Sequence, residues 1–290
     1  MDDLAKPLLI AGATGYGAWP ANTLAGARRC LDAPFDGFEI DVQLTADGRV
    51  VAHHDYRFSP DQTRLGGDWL ETASAPIKTL TLKEARRFDV GRSRPDSDEA
   101  RRYPARAQID GLPVATLPEL LGALRETPGA PRLIYVEIKT NPLHPEDAPA
   151  PEAVVDAVLR DLAAAAWEDH AKIIAFDWKV LRLVGDRAPA IRTAHLTVPR
   201  PDEARLRRRR SPWYDGFDAF GHGGSDLAAI KAHGGEEWSP YYTDVTAERM
   251  EEARALDLRV GPWGLSGAAD IRRMAELGVY SSTVSGAELP

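Results

Sequence analysis

Residues 38–55 read FEIDVQLTADGRVVAHHD, and the fold follows from how that stretch must run. Phe38, Ile40, Val42 and Leu44 alternate with Glu39, Asp41 and Gln43, the period of two that marks a strand with unlike faces. Asp47-Gly48 is a tight-turn pair, so Val50 to His54 returns as the next strand. Upstream, Leu8 to Ala11 reads as a short buried strand and Gly12 to Gly17 as a loop. Asn22-Thr23 can cap a helix that runs to about Leu31. A βαββ opening of this kind points to a mostly parallel sheet.

Downstream, Phe58 to Ala115 is rich in Pro, Gly, Asp and Arg, with one clear helix start at Thr81-Leu82-Lys83-Glu84. It is too long for a simple loop and too broken for core elements, so it reads as an insertion over one face. Alternation then resumes: helix Leu117 to Arg125, strand Arg132 to Lys139, helix Pro151 to Ala166, strand Lys172 to Phe176 and strand Ile191 to Leu196. The chain ends with helix Ala247 to Leu256, strand Arg259 to Trp263, helix Ala268 to Leu277 and strand Val279 to Val284. The expected architecture is α/β, a single (β/α)₈ TIM barrel over residues 1–290 with the 58–115 insertion after the second strand.

Composition narrows the function. The 290 residues are 43% hydrophobic and 28% charged, and 44 acids against 36 bases leave a net charge of -8. That balance argues against a nucleic-acid partner and leaves a small-molecule substrate as the expectation. The basic run Arg207 to Arg210 reads as a solvated loop or helix end. Cys30 is the single cysteine, so no internal disulfide forms. No window approaches the roughly 18 apolar residues of a membrane span, and the N-terminus lacks a basic start and long apolar run. A cytoplasmic protein of unassigned oligomeric state is expected.

Glu39 and Asp41 sit two apart in one strand and project from the same face. Glu137 and Lys139 form a second such pair inside the apolar strand Leu133 to Ile138. Charged groups in apolar strands are costly to bury without a purpose. Three carboxylates suit a hard divalent cation, Mg²⁺ or Ca²⁺. Spacing alone leaves open a buried Lys139–carboxylate pair without metal.

Several motifs, in order, resemble the glycerophosphodiester phosphodiesterase family. They include Phe38-Glu39-Ile40-Asp41-Val42, His53-His54-Asp55, Val136-Glu137-Ile138-Lys139, Thr116-Leu117-Pro118-Glu119-Leu120, Trp238-Ser239-Pro240 and Pro262-Trp263. The resemblance runs from Leu8 to about Gly278 and implies a phospholipase C-like barrel. It implies that Glu39, Asp41 and Glu137 bind metal, that His54 is one of two acid/base histidines, and that Lys139 lies near the phosphate. In such enzymes the metal polarises the diester and activates a hydroxyl, while one histidine takes a proton and the other delivers one.

The departures lie on the phosphate side. Where the family has His-Arg-Gly, this chain has Gly12-Ala13-Thr14, so the second histidine and a phosphate-clamping arginine are missing. Pro-Glu-Asn-Thr becomes Pro20-Ala21-Asn22-Thr23, and the closing Asp-Gly-Ile-Ile-Thr-Asp-type strand becomes Tyr280 to Ser285. Candidates for the pocket are Gly12, Tyr16, Trp19, His195, Trp238, Trp263 and Ser285. His195 faces either the barrel interior or the helices. Tyr280 is a further possible donor, and alternation turns His53 away from His54.

Three functions stay open: a divalent-metal-dependent phosphodiesterase of altered substrate or mechanism, a repurposed metal-dependent lyase or hydrolase acting on a non-phosphate substrate, and a non-catalytic ligand-binding barrel. A dinucleotide-binding reading of Gly12 to Gly17 fails, because Trp19-Pro20-Ala21-Asn22 delays the helix that should open at the glycines.

Overall fold

The computed structural model describes residues 6–15, 17–125, 133–198 and 209–286. Strand β1 (Leu8–Ala11) leads through α1 (Leu24–Cys30) to β2 (Gly37–Leu44), which folds back as β3 (Val50–Ala52). The following stretch holds β4 (Arg64–Leu65), β5 (Asp68–Trp69), α2 (Leu82–Ala85), β6 (Phe88–Asp89) and α3 (Asp98–Arg102). Next come α4 (Leu117–Arg125), β7 (Leu133–Ile138), α5 (Pro151–Ala164), β8 (Ala171–Ala175), α6 (Trp178–Arg187) and β9 (Arg192–Thr197). The chain closes with α7 (Asp226–Ala232), β10 (Glu237–Pro240), α8 (Ala247–Ala255), β11 (Arg259–Val260), α9 (Ala268–Leu277) and β12 (Ser281–Val284).

Among the described residues, eight strands pair in parallel in the order β11-β10-β9-β8-β7-β2-β1-β12. The ring closes where the Tyr280 N–H donates to the Val260 carbonyl and the Thr283 N–H to that of Pro262, both at 2.8 Å. This is the expected (β/α)₈ barrel, with β3 antiparallel to β2 and outside the ring. No helix among the described residues is long and apolar enough to cross a membrane. Arg207 and Arg208 of the basic run lie outside the described residues.

Strand parity positions everything that follows. Phe38, Ile40 and Val42 point outward into the core shared with the helices, where they meet Leu117, Leu121 and Val158. Glu39, Asp41 and Gln43 therefore face the interior, together with Ile10, Tyr135, Ile174, Ala194 and Leu196. Residues 58–115 build a small core of Phe58, Ile77, Ala85 and Val114 against Val51 of β3. His53 packs its ring at a tilt against Phe58, 4.8 Å away, so it lies beneath this segment and not among the barrel helices.

The barrel floor is polar. Lys172 and Glu237, each 1% exposed, form an ion pair at 2.7 Å, and Lys172 also donates to the Tyr135 hydroxyl at 3.0 Å. Removing one partner of such a pair strands a charge, whereas removing both does not. Lys172→Met should cost about 3–5 kcal/mol by urea unfolding, and the Lys172→Met/Glu237→Leu double variant should recover most of it. An unchanged single variant would contradict the buried pairing.

His195 points outward. Its Nε2 meets Nδ1 of His233 at 2.9 Å, with Trp178 packed against the ring. Burial, reinforced by the neighbouring His233, pushes its pKa well below the ordinary histidine value. The folded chain thus keeps His195 neutral, while the unfolded chain takes up a proton below about pH 6.5. Stability from this group is complete above that pH and is lost as pH falls, by up to about 1.4 kcal/mol per unit. The unfolding free energy should drop between pH 7 and 5, with a shallower slope in His195→Gln; identical slopes would refute the assignment.

Some elements carry no strong sequence signal. Strand β10 is four residues with a glutamate at one end and a proline at the other. Strands β4, β5 and β6 are two residues each, too short to display a period. Helix α6 contains Gly185, and α7 spans only seven residues.

Candidate active site

Glu39, Asp41 and Glu137 converge at the C-terminal mouth of the strands, each offering an oxygen within 4.8 Å of the others. The parallel register sets Asp41 directly beside Glu137 across β2 and β7. Lys139 Nζ pairs with Asp41 at 2.8 Å and with Glu137, so one ammonium serves two carboxylates.

The loop after β1 holds the acids from the other side. Ala13 has a left-handed backbone (φ 44°) and donates its N–H to Glu39 Oε2 at 2.7 Å. Asn22, also left-handed (φ 55°), donates through Nδ2 to Asp41 Oδ2 at 2.8 Å and accepts the Asp41 N–H. The expected Asn22-Thr23 cap thus divides: Thr23 alone caps α1, accepting the Gly26 N–H, while Asn22 orients an acid. Left-handed non-glycine residues are costly and gather where a site over-determines them.

Burial, followed by Asp41 and Glu137, drives the Glu39 pKa well above the carboxylate range. Burial also raises Glu137, against the pull of Lys139. At Asp41 burial pushes upward but Lys139, His54 and Asn22 prevail, holding it down at about 2. Lys139 is raised: Asp41 and Glu137 outweigh its burial. Glu39 Oε1 is buried and has no hydrogen-bond partner, a costly state that an ion would relieve. A crowded oxygen cluster with an orphaned acceptor fits a hard divalent cation.

His54 stands at the rim with its side chain 63% exposed, its Nδ1 2.7 Å from Asp55 Oδ1. With Nδ1 so engaged, Nε2 is the nitrogen left to exchange a proton. Lys139 lowers the His54 pKa, but Asp41 and Asp55 more than offset it and the net shift is upward.

These groups line a cavity of about 440 Å³ shared with Gly12, Trp263 and Ser285. The remaining pocket candidates divide otherwise. Tyr16 lies outside the described residues. Trp19 packs against the core shared with the helices and lies under Arg29. Trp238 has the outward parity of β10, donating to Thr197 and lying under Arg249, and His195 points outward too. Tyr280 faces Lys172 at the floor, not the mouth. Residues that the sequence did not single out also line the cavity: Arg102, Tyr103, Phe176 and Tyr241. Arg102 and Tyr103 come from the non-periodic insertion, where no pattern announces them. A Cβ on Gly12 would lie 3.1 Å from the Val284 carbonyl and 3.2 Å from Ser285 Oγ, so the end of β12 crowds this position against any side chain.

Comparison with known proteins agrees with this geometry. The sequence profile of the glycerophosphoryl diester phosphodiesterase family matches residues 12–282. A glycerophosphodiester phosphodiesterase from Caldanaerobacter subterraneus subsp. tengcongensis is 25% identical over 275 residues, covering 94% of this chain and 92% of that protein. A crystal structure from Silicibacter pomeroyi DSS-3, whose name assigns it to the same family, is 32% identical with a TM-score of 0.83, covering 97% of this chain and 90% of that one. An Oleispira antarctica phosphodiesterase in complex with its product sn-glycerol-3-phosphate shares the fold, with 16% identity, a TM-score of 0.68, and coverage of 96% of this chain and 93% of that one. The chain is an enzyme that belongs to the glycerophosphoryl diester phosphodiesterase family.

Proposed function

We propose that the protein is a divalent-metal-dependent phosphodiesterase acting on a small glycerophosphodiester-type substrate, with phosphate contacts altered from the usual family pattern. One observation carries the metal requirement: the orphaned Oε1 of Glu39 inside a cluster of three buried carboxylates. Glu39, Asp41 and Glu137 would hold the ion, Mg²⁺ or Ca²⁺. When bound, it supplies Lewis-acid stabilisation of charge on the phosphoryl group. The chain works as one barrel unit in the cytoplasm, with 58–115 as the insertion over its mouth.

The protein's own groups do the rest. Lys139 keeps Asp41 ionised and holds Glu137 in place, and Ala13 and Asn22 orient Glu39 and Asp41. Asp55 presents His54 with Nε2 free, and the raised pKa keeps that nitrogen protonated further towards neutrality. His54 is therefore assigned as the acid that delivers a proton to the leaving oxygen.

The test is hydrolysis of glycerophosphocholine and bis(p-nitrophenyl) phosphate by purified protein, with Mg²⁺, Ca²⁺ or Mn²⁺ and with chelator. Turnover that needs metal supports the reading. Metal binding by calorimetry without diester turnover would overturn it in favour of a second one, a metal-dependent lyase or hydrolase on a non-phosphate substrate. The crowded position at Gly12, where any side chain finds little room, is the observation favouring that alternative.

A further inference from the structure

We propose that Arg102, at the end of α3 in the insertion, is the phosphate-binding arginine of this enzyme, supplying at the mouth the charge that Ala13 does not carry. This rests on the phosphodiesterase reading and names its anion-binding group. Arg102 lines the same cavity as Glu39, Asp41, Glu137 and Lys139, although it is some sixty residues from the nearest of the first two in sequence and on a separate sheet-bearing segment.

Its position is built, because the chain is fastened on both sides of it. Ser97 caps α3 by accepting the Ala100 N–H, and Arg106 forms a largely buried ion pair with Glu99 at 2.6 Å. Five residues after Arg102, the Ala107 N–H donates to the Ala18 carbonyl at 3.0 Å. That bond ties the insertion to the loop following β1, the loop that holds Gly12 and Ala13. The Arg102 guanidinium lies 5.4 Å from the ring of Tyr103, which lines the same cavity.

Charge gives the reason. Lys139 is committed to Asp41 and Glu137, and His54 to Asp55. Three carboxylates against Lys139 and a divalent cation leave the cluster close to neutral, with nothing over to attract a phosphodiester anion. Arg102 is exposed, and among the described residues it makes no ion pair, so its guanidinium is available to a phosphate oxygen. Guanidinium geometry suits two phosphate oxygens at once, which a lysine at the same place would match less well.

The experiment measures sn-glycerol 3-phosphate binding by calorimetry with Mg²⁺ present, for the native protein, Arg102→Ala and Arg102→Lys, beside diester turnover and thermal melting. Affinity should fall about 10- to 100-fold in the alanine variant, with partial recovery in the lysine variant and unchanged melting and Mg²⁺ affinity. KM for the diester should rise more than kcat falls. If the native protein hydrolyses diesters while Arg102→Ala binds the monoester within twofold of native, the Arg102 assignment is wrong and the phosphodiesterase reading stands. If the native protein neither binds the monoester nor cleaves a diester, both fall. A loss of affinity accompanied by lowered melting and lowered Mg²⁺ affinity would assign Arg102 a structural role and overturn the proposal.

Discussion

Glu39→Gln should abolish metal-dependent diester turnover while raising the melting temperature of the metal-free protein. The two effects share a cause. Burial and the charges of Asp41 and Glu137 already drive the Glu39 pKa upward, so an ionised Glu39 is held against repulsion. Removing its charge relieves the cluster. It also removes the ligand whose Oε1 has no other partner. The several kcal/mol that a metal supplies at a phosphoryl oxygen correspond to a loss of about a thousandfold or more in kcat/KM. Melting curves with and without Mg²⁺ give the check: the native protein should be stabilised by the ion, as any ligand of the folded state stabilises it, and the variant should not. A variant that keeps its metal-induced shift would remove Glu39 from the binding set.

His54→Ala should lower kcat by about 10²–10⁴ on glycerophosphocholine, the usual worth of a positioned acid or base. The loss should be much smaller on bis(p-nitrophenyl) phosphate, since a nitrophenolate leaves without a proton. Gly12-Ala13-Thr14 follows β1, so no second imidazole stands at the end of that strand to share the load. The pH profile has a definite sign. The His54 pKa lies above its ordinary value, because Asp41 and Asp55 outweigh Lys139. An acid with a raised pKa stays active to higher pH, so kcat/KM on the alkyl diester should decline on the alkaline side, and that limb should vanish in the variant. Equal losses on both substrates would instead make His54 the base.

The acids were legible in the sequence because the strand period is rigid. Once Phe38, Ile40 and Val42 face the helices, Glu39 and Asp41 have no other direction than the interior. His195 was not legible, since Ala194 and Leu196 on either side are as apolar as any outward set and alternation could not choose a face. Trp238 misleads for the opposite reason: its neighbours Glu237 and Ser239 are polar, and here the polar parity is the buried interior one. Arg102 and Tyr103 reach the mouth through a long-range tie, Ala107 to Ala18, which no local pattern encodes.

The Lys172–Glu237 pair at the floor makes the barrel a dead end. A diester long on both sides of its phosphorus cannot thread one arm downward; both arms must lie across the rim. Space is available there in the cavity of about 440 Å³ beside Trp263 and in another of about 470 Å³ beside Asp177, with Glu137, Lys139 and His54 bordering both. Entry and exit are then on one face: whatever comes in over the rim must also leave over it.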